Sequence, residues 1–292
     1  MIIDNNSGTL PAQVNQISAV VCCLDSITSI EECLKSLKES NVKEIIVVDG
    51  GSTDGSLDVA KKYADILLKD EGRGLGNARN IGLRRASGRY VLHSGPDNSY
   101  KEKELLKMLN YIDGTVMAVS SKTIVKSSGY LGKLLNIYKK ARFFPGEKNS
   151  IGTPLLCFTQ TMQDNPFDES QRWSDDAELC FRWKKLFGAR FVITNAEVGE
   201  IGDFGFLELR TRWRMYGSSD FQVYQSQSPY WTWRRKIESI FYPLRNELLA
   251  PLVSSRITMI EKMRVLPFLL CITTLRYFSW LKLSIMGFFK ID

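Results

Sequence analysis

The chain has 292 residues, 44% of them hydrophobic, with 21 glycines and nine prolines. That supplies a core for one large or two small globular domains, and without a repeat at fixed period it excludes collagen-like, disordered and solenoid architectures. A formal charge of +7, from 39 Lys and Arg against 32 Asp and Glu, leaves nucleic acid and anionic lipid open as partners. The six cysteines, Cys22, Cys23, Cys33, Cys157, Cys180 and Cys271, form no CxxC pair, and His93 is the only histidine. This pattern argues against a zinc site or a disulfide framework. The polar stretch Met1 to Gln16 lacks the charged-then-apolar order of a leader. A reducing, cytoplasmic setting is therefore expected, with the cysteines acting as small core hydrophobes.

Ile17 to Leu24 (ISAVVCCL) is a short β-branched apolar run of the kind found in strands buried on both faces. Ile30, Cys33, Leu34 and Leu37 then recur at helical spacing, and Glu44 to Val48 reads as a second buried strand. Strand, helix and strand make a βαβ unit and hence a parallel sheet. The alternation continues with a helix at Ser56–Tyr63, a strand at Ala64–Leu68, a helix at Asn77–Ala86 and a strand at Arg89–His93, which predicts a doubly wound α/β domain. Ligands bind such sheets at the carboxyl ends of the strands, so chemistry is sought after Leu24, Val48 and His93. A helix over Lys101–Asn110, a strand around Thr115–Ser120 and a basic helical stretch over Tyr130–Phe143 follow. From Trp231 onward aromatics interleave with Arg and Lys, so the expected division is residues 1–225 and 226–292.

Four segments carry chemistry-bearing side chains. In the first, Val47-Val48-Asp49-Gly50-Gly51-Ser52-Thr53-Asp54-Gly55-Ser56, a strand enters a glycine turn and then a capped helix. An acid at such a strand end suits a ribose hydroxyl or base N–H; the plainer reading is a tight turn. The second runs from Gly72 through Gly76, Arg79 and Asn80 to Gly88, and its arginine suits phosphate and carbonyl oxygens, or a surface carboxylate. The third is Gly95-Pro96-Asp97-Asn98, with one carboxylate able to hold a hard divalent cation. The fourth is Phe167-Asp168-Glu169 followed by Trp173-Ser174-Asp175-Asp176, whose paired acids suit either a general base or an acidic helix start.

In this order the four segments resemble those of family 2 glycosyltransferases, over about Ile17 to Tyr224. The resemblance implies a GT-A fold: a Rossmann-like, doubly wound mixed α/β sheet. It also implies inverting transfer of a sugar from a nucleoside-diphosphate donor such as a UDP-sugar, assisted by Mg²⁺ or Mn²⁺. It places Asp25, Asp49, Asp54, Gly76 and Arg79 at the donor nucleotide, Asp97 at the metal, Asp176 as the base and Asp175 beside it positioning the acceptor. The chain departs from the family where Gly95 replaces the first aspartate of D-x-D and Gly50 the second aspartate of the first segment. Of the QxxRW motif of processive members only Arg212-Trp213 is present, with Leu209 in place of glutamine, which implies single additions.

The last segment, Trp231 to Asp292, holds ten Lys or Arg against four Asp or Glu, and its longest uncharged run, Val265 to Leu275, has 11 residues. A bilayer span needs about 20. Apolar residues punctuated by Arg276, Lys282 and Lys290 fit a helical extension at the cytoplasmic membrane interface, with the cations reaching the head groups, and favour lipid over nucleic acid. A helical pair packed on the catalytic domain, or a homo-oligomer contact, is the alternative. The sequence thus predicts a transferase acting on a lipid-linked or membrane-associated acceptor. Two rivals remain at this level: a catalytically silent nucleotide-sugar-binding partner subunit, motivated by Gly95, and a nucleotidyltransferase, against which Asp175-Asp176 argues.

Overall fold

The β-branched runs become strands because alternate side chains enter two different apolar layers. A computed structural model describes residues 13–70, 72–170 and 175–288. Trp173, Ser174, Lys290 and most of the polar N-terminus lie outside the described residues. Strands β1 (Ile17–Cys23), β2 (Glu44–Asp49), β3 (Ile66–Lys69) and β4 (Tyr90–Ser94) are parallel and alternate with helices α1 (Ile30–Glu39), α2 (Ser56–Tyr63) and α3 (Leu75–Leu83). Ala19 and Val21 of β1 and Ile45 and Val47 of β2 enter one core, while Val20, Ile46 and Val48 enter the other. This is the period-two alternation of a sheet covered on both faces.

The chain continues through β5 (Asn98–Ser99), α4 (Glu102–Leu109), β6 (Val116–Val125), α5 (Tyr130–Arg142), β7 (Gly146–Lys148), β8 (Leu155–Phe158), α6 (Thr159–Asp164), α7 (Asp175–Phe187) and β9 (Arg190–Glu200). The sheet order is β3-β2-β1-β4-β8-β6-β9-β5, with β7 on β9. β8 is antiparallel to both β4 and β6, so the sheet is mixed, as expected of the GT-A type. The predicted elements fall within a few residues of the observed ones. Sequence reading missed β9, the longest strand, and α6.

Helices α8 (Phe206–Gln227), α9 (Trp233–Ile240), α10 (Ala250–Val253) and α11 (Met259–Phe288) complete the chain. α8 runs through the expected boundary near Gln225, and α11 packs on α8 and α5 around a third core that includes Leu134, Leu209, Trp213, Val265 and Leu269. A side chain at Gly217 would overlap the Arg276 carbonyl, so α8 and α11 cross at close quarters there. Arg276 does not reach outward as the sequence reading expected. It is buried, donating to Asp220 (2.5 and 2.8 Å) and also to Glu247. With that charge neutralised inside, the apolar runs on either side of it join into one helix. Met259–Ile285 is long and apolar enough to cross a membrane by length and composition, where sequence reading stopped at an 11-residue run. Among the cysteines, Cys271 is exposed and Cys22 half-buried, so these two depart from the core role expected of all six.

Candidate active site

The loops after β1 and β2 are stitched together by the acids the sequence singled out. Asp25, in a left-handed conformation (φ 45°), accepts from the Thr53 backbone N–H (2.8 Å), and its own N–H donates to Ser52 Oγ (3.0 Å). Asp54 accepts from Ile27 N–H (2.9 Å), Ser56 N–H (2.9 Å) and Ser56 Oγ (2.6 Å). The Ser56 hydroxyl above all, with these amides, holds its carboxyl below the usual range. Asp49 is buried at the end of β2 and accepts from the Gly51 (3.0 Å) and Ser52 (3.2 Å) amides, closing its own turn. The three acids thus shape the rim of a cleft at the carboxyl edge of β1 and β2. Asp70 reaches the same rim from the end of β3, accepting from Asn77 Nδ2 (2.9 Å). Sequence reading missed Asp70, although its position just after a strand end, like those of Asp25 and Asp49, marks it.

Asn80 explains why the second and fourth segments meet. Its side chain donates to the Phe167 carbonyl (2.8 Å) and accepts from the Phe167 N–H (3.1 Å), pinning the loop before α7 onto α3. Gly76 lets the first turn of α3 approach: a Cβ there would lie 3.4 Å from the Asp168 carbonyl and 3.7 Å from the Asp175 side chain. Arg79, one turn on, is buried and donates to Asp175 Oδ2 at 2.5 Å, with the Phe167 ring 5.0 Å away. A guanidinium removed from water needs a carboxylate partner. In this structure, therefore, Arg79 and Asp175 hold each other.

Asp176 is different. It starts α7 beside Asp175, and its Oδ1 accepts from the Ala177 N–H (2.8 Å). Among the described residues no side chain donates to it. Its Oδ2 lies 2.5 Å from where a Cβ on Gly152 would be, so a side chain at 152 would push the carboxylate from this position. Burial raises its pKa above the usual carboxylate range, partly offset by the nearby Arg79 charge. Such a carboxylate is a stronger base than a solvated one. Adjacent in sequence, Asp175 is neutralised and Asp176 is left open.

Asp97 lies beyond the end of β4, tied to the end of β9 by its carbonyl, which accepts from Ile201 N–H (2.7 Å). Its carboxyl is raised by burial and lowered by Arg212 and Lys139 nearby. Those cations are braced elsewhere. Arg212 donates to Glu200 (2.6 Å) and Glu208 (2.9 Å), and Lys139 pairs with Glu200 and donates to Thr123 Oγ1 (2.7 Å). Glu200 and Lys139 were not found from sequence; Lys139 is one of several cations on a basic helix and carries no local signal. Among the described residues no side chain donates to Asp97, and its Oδ1 occupies space beside Gly95, 2.5 Å from a Cβ placed there. A single open carboxylate fits a hard divalent cation that completes its shell with phosphate oxygens and water. No cluster of three or more His, Cys, Asp or Glu suited to a metal occurs among the described residues, so Asp97 would be the protein's own contribution. His93, given no role from sequence, is buried with both ring nitrogens unpartnered, and burial pushes its pKa down to about 3.

An α/β sheet with acids gathered at its carboxyl edge defines a class of protein that binds its ligands at that edge. The sequence profile of glycosyl transferase family 2 matches residues 18–164, half of the chain, and the chain belongs to that family. It is similar to glycosyltransferase GlyA of Streptococcus pneumoniae, 26% identical over 277 residues, covering 90% of this chain and 36% of that protein. It is also similar to a cholesterol galactosyltransferase of Borreliella burgdorferi, 33% identical over 101 residues, covering 32% of this chain and 28% of that one. The chain thus spans about a third of the length of these relatives. Among solved structures, S. aureus TarS 1–349 in complex with UDP superposes with a TM-score of 0.49 at 18% identity, covering 90% of this chain and 88% of that one.

Proposed function

We propose that the chain is an inverting glycosyltransferase that moves a sugar from a nucleoside-diphosphate donor, UDP-sugars first among those to test, to a hydroxyl of a lipid-linked or membrane-associated glycan. The observation that carries the reading is the open, half-buried carboxylate of Asp176 next to the neutralised pair Arg79–Asp175. As the acceptor oxygen attacks the anomeric carbon, Asp176 takes its proton, the bond from that carbon to the phosphate oxygen breaks on the opposite face, and the nucleoside diphosphate leaves. Asp25, Asp49, Asp54 and Gly76 shape the donor rim. The Arg79–Asp175 pair fixes the start of α7 and so aims Asp176. Asp97 would hold Mg²⁺ or Mn²⁺, which when bound neutralises the leaving diphosphate. Single additions are supported by Trp213, which is buried in the third core instead of lining the cleft.

Support for a membrane setting comes from α11. Its inner face packs on α5 and α8, while Met263, Leu266, Leu270, Leu281 and Ile285 stand exposed on the outer side. A contiguous exposed apolar face marks an interaction surface, and the cationic excess of the last segment suits anionic head groups. α11 lies along a polar helix of the catalytic body, which favours a peripheral or monotopic placement over a span.

The test is binding and turnover of UDP-, GDP- and dTDP-sugars with Mg²⁺ or Mn²⁺, comparing wild type with Asp97→Ala and Asp176→Asn. Metal-dependent binding that needs Asp97, with turnover that needs Asp176, is expected. Gly95 favours one second reading, a donor-binding partner subunit without turnover; retained binding with no Asp176-dependent turnover for any donor would select it.

A further inference from the structure

Two adjoining cavities of about 240 and 270 Å³ run along the outside of the α8–α11 contact and share Arg210 and Leu275. The walls of the first are apolar: Leu131 and Leu134 from α5, Phe206 and Leu209 from α8, Phe268 and Ile272 from α11. Arg210 and Arg264 line the same cavity, and Arg214 the next. Among the described residues none of these three arginines pairs with a carboxylate. Arg276, which is buried, and Arg142 and Arg212, which are half-buried, all do. Unpaired cations set against apolar walls match an anionic head on a hydrocarbon chain, since the chain removes the walls from water and the anion neutralises the arginines.

We infer that this furrow binds the acceptor as a lipid phosphate, its hydrocarbon chain between α5, α8 and α11 and its phosphate on Arg210 and Arg264. The inference rests on the transferase reading of the cleft and names where the acceptor's anchor lies. α8 is the shared wall. Glu208 and Arg212 turn toward Glu200 and Asp97, whereas Phe206, Leu209 and Arg210 turn toward the furrow. At 3.6 residues per turn Leu209 lies about 60° from Arg212, whereas Arg210 lies about 160° from both Glu208 and Arg212, on the far side of a helix about 10–12 Å across with its side chains. A glycan carried on the phosphate passes round about half of α8 to reach the cleft, and the exposed apolar side of α11 sets the furrow mouth at the membrane surface from which the lipid enters.

Cys271 lines the furrow and is exposed, so it reports occupancy. The experiment follows maleimide alkylation of Cys271 in the full chain, resolved by peptide mass spectrometry. Dodecyl phosphate below its micellar concentration, at ten times its Kd, is expected to slow alkylation about tenfold. Dodecanol and inorganic phosphate, each alone, are expected to leave it unchanged. Arg210→Gln with Arg264→Gln is expected to abolish protection and Arg210→Lys with Arg264→Lys to restore most of it; both pairs lie on the surface, and circular dichroism checks their fold. Protection by dodecanol equal to that by dodecyl phosphate, protection by phosphate alone, or protection surviving in the glutamine variant overturns the inference. So does protection by phosphatidylglycerol vesicles without protection by the monomer, which would mark a bilayer contact. Asp176→Asn is expected to keep the protection while stopping transfer, so failure of the furrow and failure of the transferase reading give different results.

Discussion

The sheet and the C-terminal helical layer solve opposite packing problems. In the sheet, apolar side chains fill both faces and the acids stand at the strand ends. In the helical layer, Arg276, Glu247 and Tyr138 are drawn inside among aromatic rings, with Asp220 half-buried beside Arg276, while a row of apolar side chains on α11 is turned out. Buried charge is stable only when paired, and exposed apolar surface persists where something apolar covers it. The sheet thus turns its apolar side chains inward, and the helical layer leaves an apolar face uncovered.

The largest expected effect tests the open acid of the sheet. Asp176→Asn should lower turnover by roughly 10²–10⁴-fold with donor affinity retained, the range for a lost general base. A similar fall in donor affinity would instead assign Asp176 to binding. Because burial raises its pKa, the acid limb of the pH–rate profile should lie above the usual carboxylate range and vanish in this variant.

The paired charges of the helical layer come next. Arg276→Met should destabilise the fold by about 3–5 kcal/mol, read from urea midpoints, because it leaves Asp220 without its cation and Glu247 with only the more distant Arg142 beside Tyr138 and Trp213. A loss below about 1 kcal/mol, the range of a solvated pair, would show that Arg276 is held no more firmly than a surface cation.

His93 sharpens the comparison from the other side, as a buried polar ring of the sheet without a partner. Its folded pKa is about 3 against 6.5 for the free side chain. Between those values the unfolded chain takes up the proton and the folded chain does not, so stability is full above pH 6.5 and falls as pH drops toward 3. At pH 5 this amounts to about 2 kcal/mol. His93→Phe should flatten that part of the stability–pH curve.

The smallest stability effect is expected on the outer face of α11. Leu270→Ser and Leu281→Ser should change stability by no more than about 0.5 kcal/mol, as surface substitutions do. They should nevertheless reduce cosedimentation with anionic vesicles. Unchanged vesicle binding, together with a dimer in sedimentation that the substitutions dissociate, would assign the face to a second copy of the chain.

Much of the sheet was legible because period-two apolar runs and 3.6-period helices are local patterns. Ile17–Leu24 and Glu44–Val48 were placed as strands within a residue or so of where they lie, and the four chemistry-bearing segments do converge on one edge. The division of labour between Asp175 and Asp176 was not legible. Adjacent and chemically identical in sequence, they separate only because Arg79, 96 positions before Asp175, is brought against one of them and Gly152 makes room for the other. Glu200 and Lys139 were likewise invisible, since their meaning depends on β9 ending beside Asp97. By itself the sequence determined the family, the alternation of the sheet and the cationic, apolar character of the last segment, all of which depend on neighbours along the chain. Only the tertiary structure decided which acid is neutralised, that Arg276 turns inward, and that Arg210 and Arg264 share an apolar furrow, because the partner that settles a buried charge is chosen by proximity in space.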